Sequence, residues 1–296
     1  MQYITLGDSG LCVSRLCLGT MNMGSKQWEP WIYNEKESEP IIAHALGSGV
    51  NFIDLADFYS SGANEEVCGN ILRRLFTRDE IVIATKAGYA IGGGMNNHGH
   101  SRVHLINAMD GSLKRLKMDY VDIFMLHFFD VNTPVEETLE TLDCFVRSGK
   151  TRYIACSTML SWQFAKLYYT AKRYGWAKPI NMQLQLSAAY REEEREMIPF
   201  CIDSKVGVSV FSPLASGLLS CDFDSNRNKT DFFTHEIFGD EASRDIALSV
   251  NAVAKKRGSS PAQVVQAWVL QRPGVDVMLV ALTILEAISK SKASYL

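Results

Sequence analysis

The sequence predicts an α/β fold in which eight parallel strands alternate with helices, a (β/α)8 TIM barrel whose bottom is closed by an N-terminal β-hairpin. Three observations support this prediction. Short apolar runs alternate with segments of helical periodicity, no shift in composition divides the 296 residues, and such a barrel commonly reaches this length as one domain. We therefore expect residues 1–296 to form a single barrel domain.

Each strand is indicated by a short apolar run that is bounded by turn residues. The first two runs, 3–6 and 11–14, flank Asp8-Ser9-Gly10 and are typical of a hairpin. The eight barrel strands are then predicted at 15–18, 51–55, 81–85, 121–126, 152–156, 180–184, 206–210 and 275–282.

Capping residues and apolar residues spaced three and four apart indicate the helices between the strands. The first helix is expected from near Ser38 to Leu46, with Pro40 in its first turn, and the second is expected to begin at Asn64 as its cap. Four apolar residues predict the buried face of the third helix: Ile106, Met109, Leu113 and Leu116.

Polar side chains follow three successive buried strands, at or just after the point where each strand ends. Asp54 ends the second strand and Tyr59 follows five residues later, while Lys86 ends the third strand and His127 the fourth. Burying polar groups is unfavourable unless partners await them, and strand ends meet on the catalytic face of a parallel barrel. We therefore expect these four side chains to converge. Taken singly, each also has a structural explanation, as a rim ion pair or a packed ring.

Composition excludes several classes of function. Charged residues make up 21% of the chain and the net charge is -3, without the basic excess typical of nucleic-acid or membrane-surface proteins. The N-terminus lacks the features of a signal peptide, and the longest mostly apolar run, 277–285, is shorter than the ~18 residues of a membrane span. Seven cysteines without a Cys-x-x-Cys pair indicate reduced thiols. We expect a cytoplasmic protein without nucleic-acid or membrane partners, and the oligomeric state is left open.

Several segments, in their order and spacing, resemble the aldo-keto reductase superfamily over nearly the whole chain. The resemblance implies a nicotinamide-dependent oxidoreductase that reduces an aldehyde or ketone to an alcohol, or catalyses the reverse reaction, on a small carbonyl or sugar-like substrate. The matching segments are Asn51-Phe52-Ile53-Asp54 with Tyr59, Ala84-Thr85-Lys86, Leu126-His127, 149–154 leading to Ser157, 190–199, and Ser212-Pro213-Leu214-Ala215 with Gly217.

The resemblance implies that Tyr59 donates a proton to the carbonyl oxygen. A free phenol has a pKa near ~10, and the ammonium of Lys86, paired with Asp54, is expected to lower that pKa towards neutral pH. His127 is expected to donate a hydrogen bond to the substrate oxygen.

The resemblance also implies a cofactor site. Ser157 and Gln183 are expected to bind the nicotinamide carboxamide, with Thr158 beside them where the family often has Asn. Phe211 is expected to stack on the nicotinamide ring, and a core phenylalanine is the alternative. The remaining expected cofactor contacts are Asp54, the end of the first strand at Gly19, Thr20 and Met21, and the pyrophosphate turn at Ser212, Leu214, Gly217 and Leu218.

NADP is the cofactor that the family implies, and NAD is the alternative because the C-terminal segment departs from the family pattern. Ala287 stands where Arg is common and Ser291 where Asn is common. A 2′-phosphate prefers a guanidinium, for which Lys290 or Lys292 would substitute as a point charge.

Two rival functions come from other classes. A non-catalytic barrel that binds nicotinamide nucleotide as a sensor or regulatory subunit is supported only by the altered C-terminal segment. A metal-dependent barrel isomerase would need a metal site, for which His98, His100 and His104 are candidates. Because no carboxylate or cysteine completes that set at a suitable spacing, we expect no metal.

Aromatic residues in or beside the loops of the expected active face are candidates for the substrate pocket, with core or surface packing as the alternative. They are Trp28, Trp31, Tyr33, Phe128 and Phe129.

Overall fold

A computed structural model describes residues 1–220 and 236–281 of the chain. Eight parallel strands close into a barrel in which each strand pairs with the next along the chain and the last pairs with the first. The predicted (β/α)8 fold is confirmed. The barrel strands are β3 (Leu16–Gly19), β4 (Phe52–Asp54), β5 (Val82–Ala87), β6 (Val121–Leu126), β7 (Thr151–Ser157), β8 (Pro179–Gln185), β9 (Gly207–Phe211) and β10 (Val277–Val280).

Helices connect successive strands and bury their apolar faces against the outside of the barrel. Residues 221–235 and 282–296 lie outside the described residues, and the candidate phosphate contacts Lys290 and Lys292 fall in the second of these segments. The described helices are α1 (Glu35–Gly47), α2 (Ala63–Leu75), α3 (Arg102–Leu116), α4 (Val135–Arg147), α5 (Ser161–Tyr174), α6 (Met197–Ser204), α7 (Glu241–Arg257) and α8 (Pro261–Leu270).

The N-terminal hairpin, β1 (Tyr3–Thr5) and β2 (Cys12–Ser14), closes the barrel at the end where the strands begin. Leu6 and Val13 are fully buried and pack in the same cluster as the barrel-lining Phe52 and Ile123. The backbone N–H of Asp8 donates to the carbonyl just before β9. The hairpin thus seals the bottom with apolar side chains and leaves the opposite, carboxyl-terminal end for polar residues.

The first helix begins three residues earlier than Ser38. Asn34 occupies the cap position: its side chain accepts from the N–H of Glu37, and Glu37 accepts from the N–H of Asn34. This reciprocal capping box satisfies two backbone donors at the helix start, so the helix starts at Glu35 and Pro40 lies inside it.

The predicted cap of the second helix was also wrong. Gly62, in the left-handed region at φ 94°, precedes the helix, while the buried side chain of Asn64 donates to the carbonyls of Thr20 and Met23. Asn64 therefore fixes the loop after β3 to the start of α2.

The buried face of α3 differs from the prediction at one position. Ile106 is 39% exposed, and Leu105 and Ala108 are buried beside Met109 and Leu116. The face is rotated relative to the one predicted, because neighbouring apolar residues allow two helical stripes.

No helix within 1–220 and 236–281 is long and apolar enough to cross a membrane. The single-domain boundary at 1–296 stays a prediction, because residues 282–296 lie outside the described residues.

Candidate active site

A buried ion pair lies at the carboxyl ends of two adjacent barrel strands. Asp54 ends β4 and Lys86 lies near the end of β5, and the Lys86 Nζ–Asp54 Oδ2 distance is 2.6 Å. Lys86 also donates to the carbonyl of Leu55 at 2.9 Å and is fully buried. Because two buried charges are stable only with close partners, this geometry holds the ammonium in one place.

The side chains of Tyr59 and His127 complete the cluster. Tyr59 lies in a 3-10 turn, Tyr59–Gly62, and its ring centroid is 4.9 Å from Lys86 Nζ. The imidazole of His127 lies edge-on to the Tyr59 ring, with centroids 5.8 Å apart. Side chains from four separate segments, Asp54, Tyr59, Lys86 and His127, therefore meet at one end of the barrel.

Electrostatics assign a neutral form to both ring groups. Burial raises the pKa of Tyr59 above its usual range, although the adjacent Lys86 ammonium lowers it in part. The predicted lowering by Lys86 is thus present, but burial outweighs it, so the pKa is not brought down to neutral pH and Tyr59 is a protonated phenol. Burial and the charge of Lys86 hold the pKa of His127 well below its usual range, so its imidazole is neutral.

Lys86 itself carries the charge. Burial opposes the ammonium, but the attraction and hydrogen bond to Asp54 outweigh it and raise the pKa of Lys86. The site thus combines a neutral hydroxyl donor with a fixed cation that stabilises any negative charge left on the phenol.

The end of β3 lies beside this cluster. Gly19 pairs with Asp54 across the strands, and the Thr20 hydroxyl donates to the Asp54 carbonyl at 2.8 Å. Gly19 and Thr20 are buried and Met21 is half-buried. The amide of Asn64, which sequence reasoning assigned to a cap, is what holds this loop in place.

Ser157 and Gln183 lie opposite each other on the adjacent strands β7 and β8. The Ser157 hydroxyl lies 3.1 Å from that of Thr158, and the backbone N–H of Thr158 donates to the Gln183 carbonyl. The structure therefore brings the three predicted carboxamide contacts together. Their hydroxyl and amide groups match a carboxamide, whose oxygen accepts hydrogen bonds and whose NH2 group donates them.

Gln183 also makes a contact that the sequence did not predict. Its side-chain N–H donates to Asp54 Oδ1 at 2.8 Å, and both residues are buried. Strands β4 and β8 lie on opposite sides of the barrel, so this hydrogen bond crosses the interior.

Thr158 adopts φ 46°, in the left-handed region. A β-branched residue is strained there, by about 1–2 kcal/mol, whereas Asn tolerates this conformation. We expect Thr158→Asn to raise the free energy of unfolding by up to about 1 kcal/mol, measured by urea denaturation. Thr158→Val keeps the branching and should give no gain; a gain with Val, or none with Asn, would contradict the strain argument.

The segment after β9 turns sharply through left-handed conformations. Ser212 and Gly217 have φ 54° and 103°, and Phe211 is half-buried at the end of the strand. Ala215 and Ser216, directly before Gly217, also have positive φ, and consecutive backbone N–H groups in such turns can bind anions. Here the Gly217 N–H donates to the Leu214 carbonyl. One of the backbone donors predicted to bind the pyrophosphate is therefore already used within the loop. Leu218 is buried behind it.

An aromatic wall extends from His127 along the active face. We define the aromatic wall as Trp28, Phe58, Tyr89 and Phe128. Tyr89 is in ring contact with His127, Phe128 and Phe58 at centroid distances of 4.8, 4.7 and 4.9 Å. Trp28 packs against Phe58 at 5.9 Å. The sequence predicted Trp28 and Phe128 as pocket candidates but not Phe58 and Tyr89. Phe58 directly precedes Tyr59, and Tyr89 follows Lys86 by three residues. Their proximity in sequence to the predicted catalytic residues could have identified them.

Asp57 is a buried carboxyl group between Asp54 and Tyr59. It is fully buried, and no side chain among the described residues hydrogen-bonds to either carboxyl oxygen. Burial and the neighbouring Glu65 raise the pKa of Asp57 well above its usual range. Glu65 is itself buried and paired with Arg115 at 2.7 Å, so the guanidinium of Arg115 is already engaged.

The raised pKa of Asp57 predicts a pH-dependent stability. Because the folded protein binds this proton more tightly than the unfolded chain, the contribution is full below the unfolded pKa of about 3.9 and is lost as pH rises through the folded value. Asp57→Asn should therefore gain stability relative to the natural protein as pH rises above about 4, measured by urea unfolding at each pH. The control is Asp79→Asn, which changes an exposed carboxyl group. If the free energy of unfolding of Asp57→Asn changed with pH in parallel with that of the natural protein, the prediction would be contradicted.

Of the three histidines considered for a metal, His100 packs against Phe128 of the aromatic wall, with ring centroids 5.1 Å apart. His100 and His104 are buried at the start of α3, and His98 is exposed. The described ranges contain no group of three or more His, Cys, Asp or Glu residues arranged to hold a metal ion.

A model of the aldo/keto reductase family matches residues 15–295. The chain belongs to the aldo/keto reductase family. A versiconal hemiacetal acetate reductase of Aspergillus parasiticus is 39% identical, over 99% of this chain and 92% of its own length. A putative aryl-alcohol dehydrogenase of Schizosaccharomyces pombe is 37% identical, over 91% of this chain and 85% of its own. An aldo-keto reductase of Alternaria alternata is 35% identical, over 91% of this chain and 81% of its own length.

This membership confirms the family and the nicotinamide-dependent oxidoreductase function that were predicted from the sequence. The aldo/keto reductase is an oxidoreductase that uses a nicotinamide cofactor to interconvert carbonyl compounds and alcohols. Nothing in these comparisons favours the non-catalytic sensor.

Proposed function

We propose that this aldo/keto reductase reduces an aromatic aldehyde or ketone with NADPH, with Tyr59 as the proton donor. The observation that carries the proposal is the buried ammonium of Lys86, held by Asp54 at 2.6 Å and lying 4.9 Å from the centre of the Tyr59 ring. A fixed cation beside a protonated phenol is the arrangement that proton donation requires, because it stabilises the phenolate that remains.

Reduction needs a hydride at the carbonyl carbon, which the nicotinamide supplies when bound. The carbonyl oxygen then takes the proton from the Tyr59 hydroxyl, leaving a phenolate that Lys86 stabilises; alcohol oxidation reverses both transfers. The neutral imidazole of His127 donates a hydrogen bond to the same oxygen and orients it. Ser157, Thr158 and Gln183 would hold the carboxamide, and the residues at the end of β3 and in the turn after β9 would hold the rest of the nucleotide.

The aromatic wall supports a planar aromatic substrate over a sugar-like one. Its rings reach from Trp28 to Phe128 and come within 4.8 Å of the His127 ring. Flat faces of this kind bind another ring by offset or edge contacts worth about 0.5–1.5 kcal/mol each. Two of the relatives are named as a versiconal hemiacetal acetate reductase and a putative aryl-alcohol dehydrogenase, and we extend the aryl class to this chain.

We infer NADPH as the preferred nucleotide from the family, with Lys290 or Lys292 as the candidate phosphate contacts and NADH as the alternative. Both lysines lie outside the described residues. We also infer the cytoplasm as the compartment, because the cysteines that the structure describes are all free thiols.

The test is a substrate screen with both nucleotides. Purified protein is incubated with NADPH or NADH and with aromatic aldehydes, aliphatic aldehydes of similar size, and aldoses, and nucleotide oxidation is followed by absorbance. We expect the largest kcat/KM for an aromatic aldehyde with NADPH. Binding of a nucleotide without turnover on any carbonyl would instead support the non-catalytic sensor, and a preference for aldoses would contradict the aromatic class.

A further inference from the structure

Asp54 is held on both of its carboxylate oxygens. Lys86 binds Oδ2 at 2.6 Å, and the side-chain N–H of Gln183 binds Oδ1 at 2.8 Å. All three side chains are at most 3% exposed. Water therefore has no ready access to replace either partner. Loss of one partner leaves a buried carboxylate oxygen without its hydrogen bond, which is energetically unfavourable.

Gln183 reaches Asp54 from the far side of the barrel. The backbone of Gln183 is fixed by pairing with Ser157 on one side and Ser209 on the other. Its side-chain nitrogen also lies 3.8 Å from the Met125 sulfur. The amide is thus aimed across the interior by two strand ladders, and the carboxylate that it meets is the partner of the Lys86 ammonium.

From this geometry we propose that Gln183 is a positioning residue for the proton donor, acting on Tyr59 through Asp54 and Lys86. The inference deepens the proposed function and rests on it, since Tyr59 is the donor there. Contact with the nicotinamide carboxamide, which the family resemblance implies, uses the Oε1 acceptor of the same amide. A single side chain would then connect cofactor binding with the alignment of the acid.

The electrostatic consequence has a definite sign. The negative charge of Asp54 raises the pKa of Tyr59, while Lys86 lowers it. The Gln183 N–H presents the positive end of its dipole to Asp54 and offsets part of that negative charge. Removing the N–H should therefore raise the pKa of Tyr59 further, so that the phenolate needed for alcohol oxidation forms at higher pH.

The variant for the test is Gln183→Met, which keeps the length of the side chain and removes the donor. Gln183→Asn, one methylene shorter, is the second variant if the first does not fold. Ser157→Ala is the matched control, because it removes a predicted carboxamide contact without touching Asp54. Nucleotide affinity and the pH profile of kcat for alcohol oxidation are measured for each.

We expect Gln183→Met to move the apparent pKa of the alcohol-oxidation profile upwards by about one unit, a tenfold shift in the proton equilibrium. Ser157→Ala should weaken nucleotide binding and leave that pKa where it is. If Gln183→Met and Gln183→Asn weaken nucleotide binding but leave the pH profile unchanged, Gln183 serves the cofactor alone and the proposal is overturned.

A second readout does not depend on turnover. Tyrosinate absorbance is titrated with pH, and the curve of the matching Tyr59→Phe protein is subtracted to isolate Tyr59. The upward shift caused by Gln183→Met should disappear in an Asp54→Asn background, because the effect passes through Asp54. An inactive natural protein would refute the proposed function, whereas the same shift in both backgrounds, or no shift in either, would refute the role of Gln183.

Discussion

Tyr59→Phe is expected to lower kcat for carbonyl reduction by about 10²–10⁴-fold, the range that a positioned general acid contributes. The substitution removes one hydroxyl and keeps the ring that packs against His127 at 5.8 Å. Because burial keeps the Tyr59 pKa above its usual range, the natural protein carries this proton throughout the neutral range, and the variant has none to give. Steady-state kinetics measure the loss, and fluorescence titration with the nucleotide should show nearly unchanged affinity.

A second phenol lies close enough to serve as a rival donor. The ring of Tyr89 contacts His127 at 4.8 Å, and burial raises its pKa as well. Tyr89→Phe makes the same chemical change in the aromatic wall, where no cation among the described residues lowers the pKa of the hydroxyl. We expect a loss of about tenfold or less from weaker substrate orientation. A larger loss from Tyr89→Phe than from Tyr59→Phe would transfer the donor role to Tyr89.

The convergence of the site could be predicted from the sequence because parallel strands impose it. Once Asp54, Lys86 and His127 were placed at strand ends, barrel topology alone required them to share one rim. Tyr59 followed from its distance of five residues beyond Asp54. The positions of the strand ends in the sequence, together with the barrel topology, are enough to predict that these side chains converge. No side-chain contact or burial value is needed for that prediction.

Contacts across the barrel could not be predicted in the same way. The Gln183–Asp54 hydrogen bond joins residues 129 positions apart, and it depends on the stagger of β4 against β8, which local patterns do not encode. Asn64 was predicted as a cap because that is the common use of Asn before a helix, but tertiary packing turned its amide towards Thr20. Burial also decided the direction of the Tyr59 pKa, and burial of a loop residue is not visible in sequence periodicity.

Lys86→Met should abolish turnover and also destabilise the fold, by about 3–5 kcal/mol. The ammonium is fully buried and bonds to both Asp54 Oδ2 and the carbonyl of Leu55. Removing it leaves the Asp54 carboxylate in the barrel interior with Gln183 as its one remaining side-chain partner among the described residues. Urea denaturation measures the loss of stability.

The double variant Asp54→Asn with Lys86→Met separates the two effects. It removes the uncompensated charge, so it should recover much of the free energy of unfolding lost by Lys86→Met while remaining inactive. Lys150→Met is the matched surface control: its ion pair with Asp110 has the same 2.6 Å separation but is 37% and 55% exposed, so it should cost about 1 kcal/mol or less. Equal losses from Lys86→Met and Lys150→Met would mean that the interior pair is solvated, and a solvated lysine could not hold the Tyr59 phenolate. Full activity in the double variant would show that the phenol needs no neighbouring cation at all.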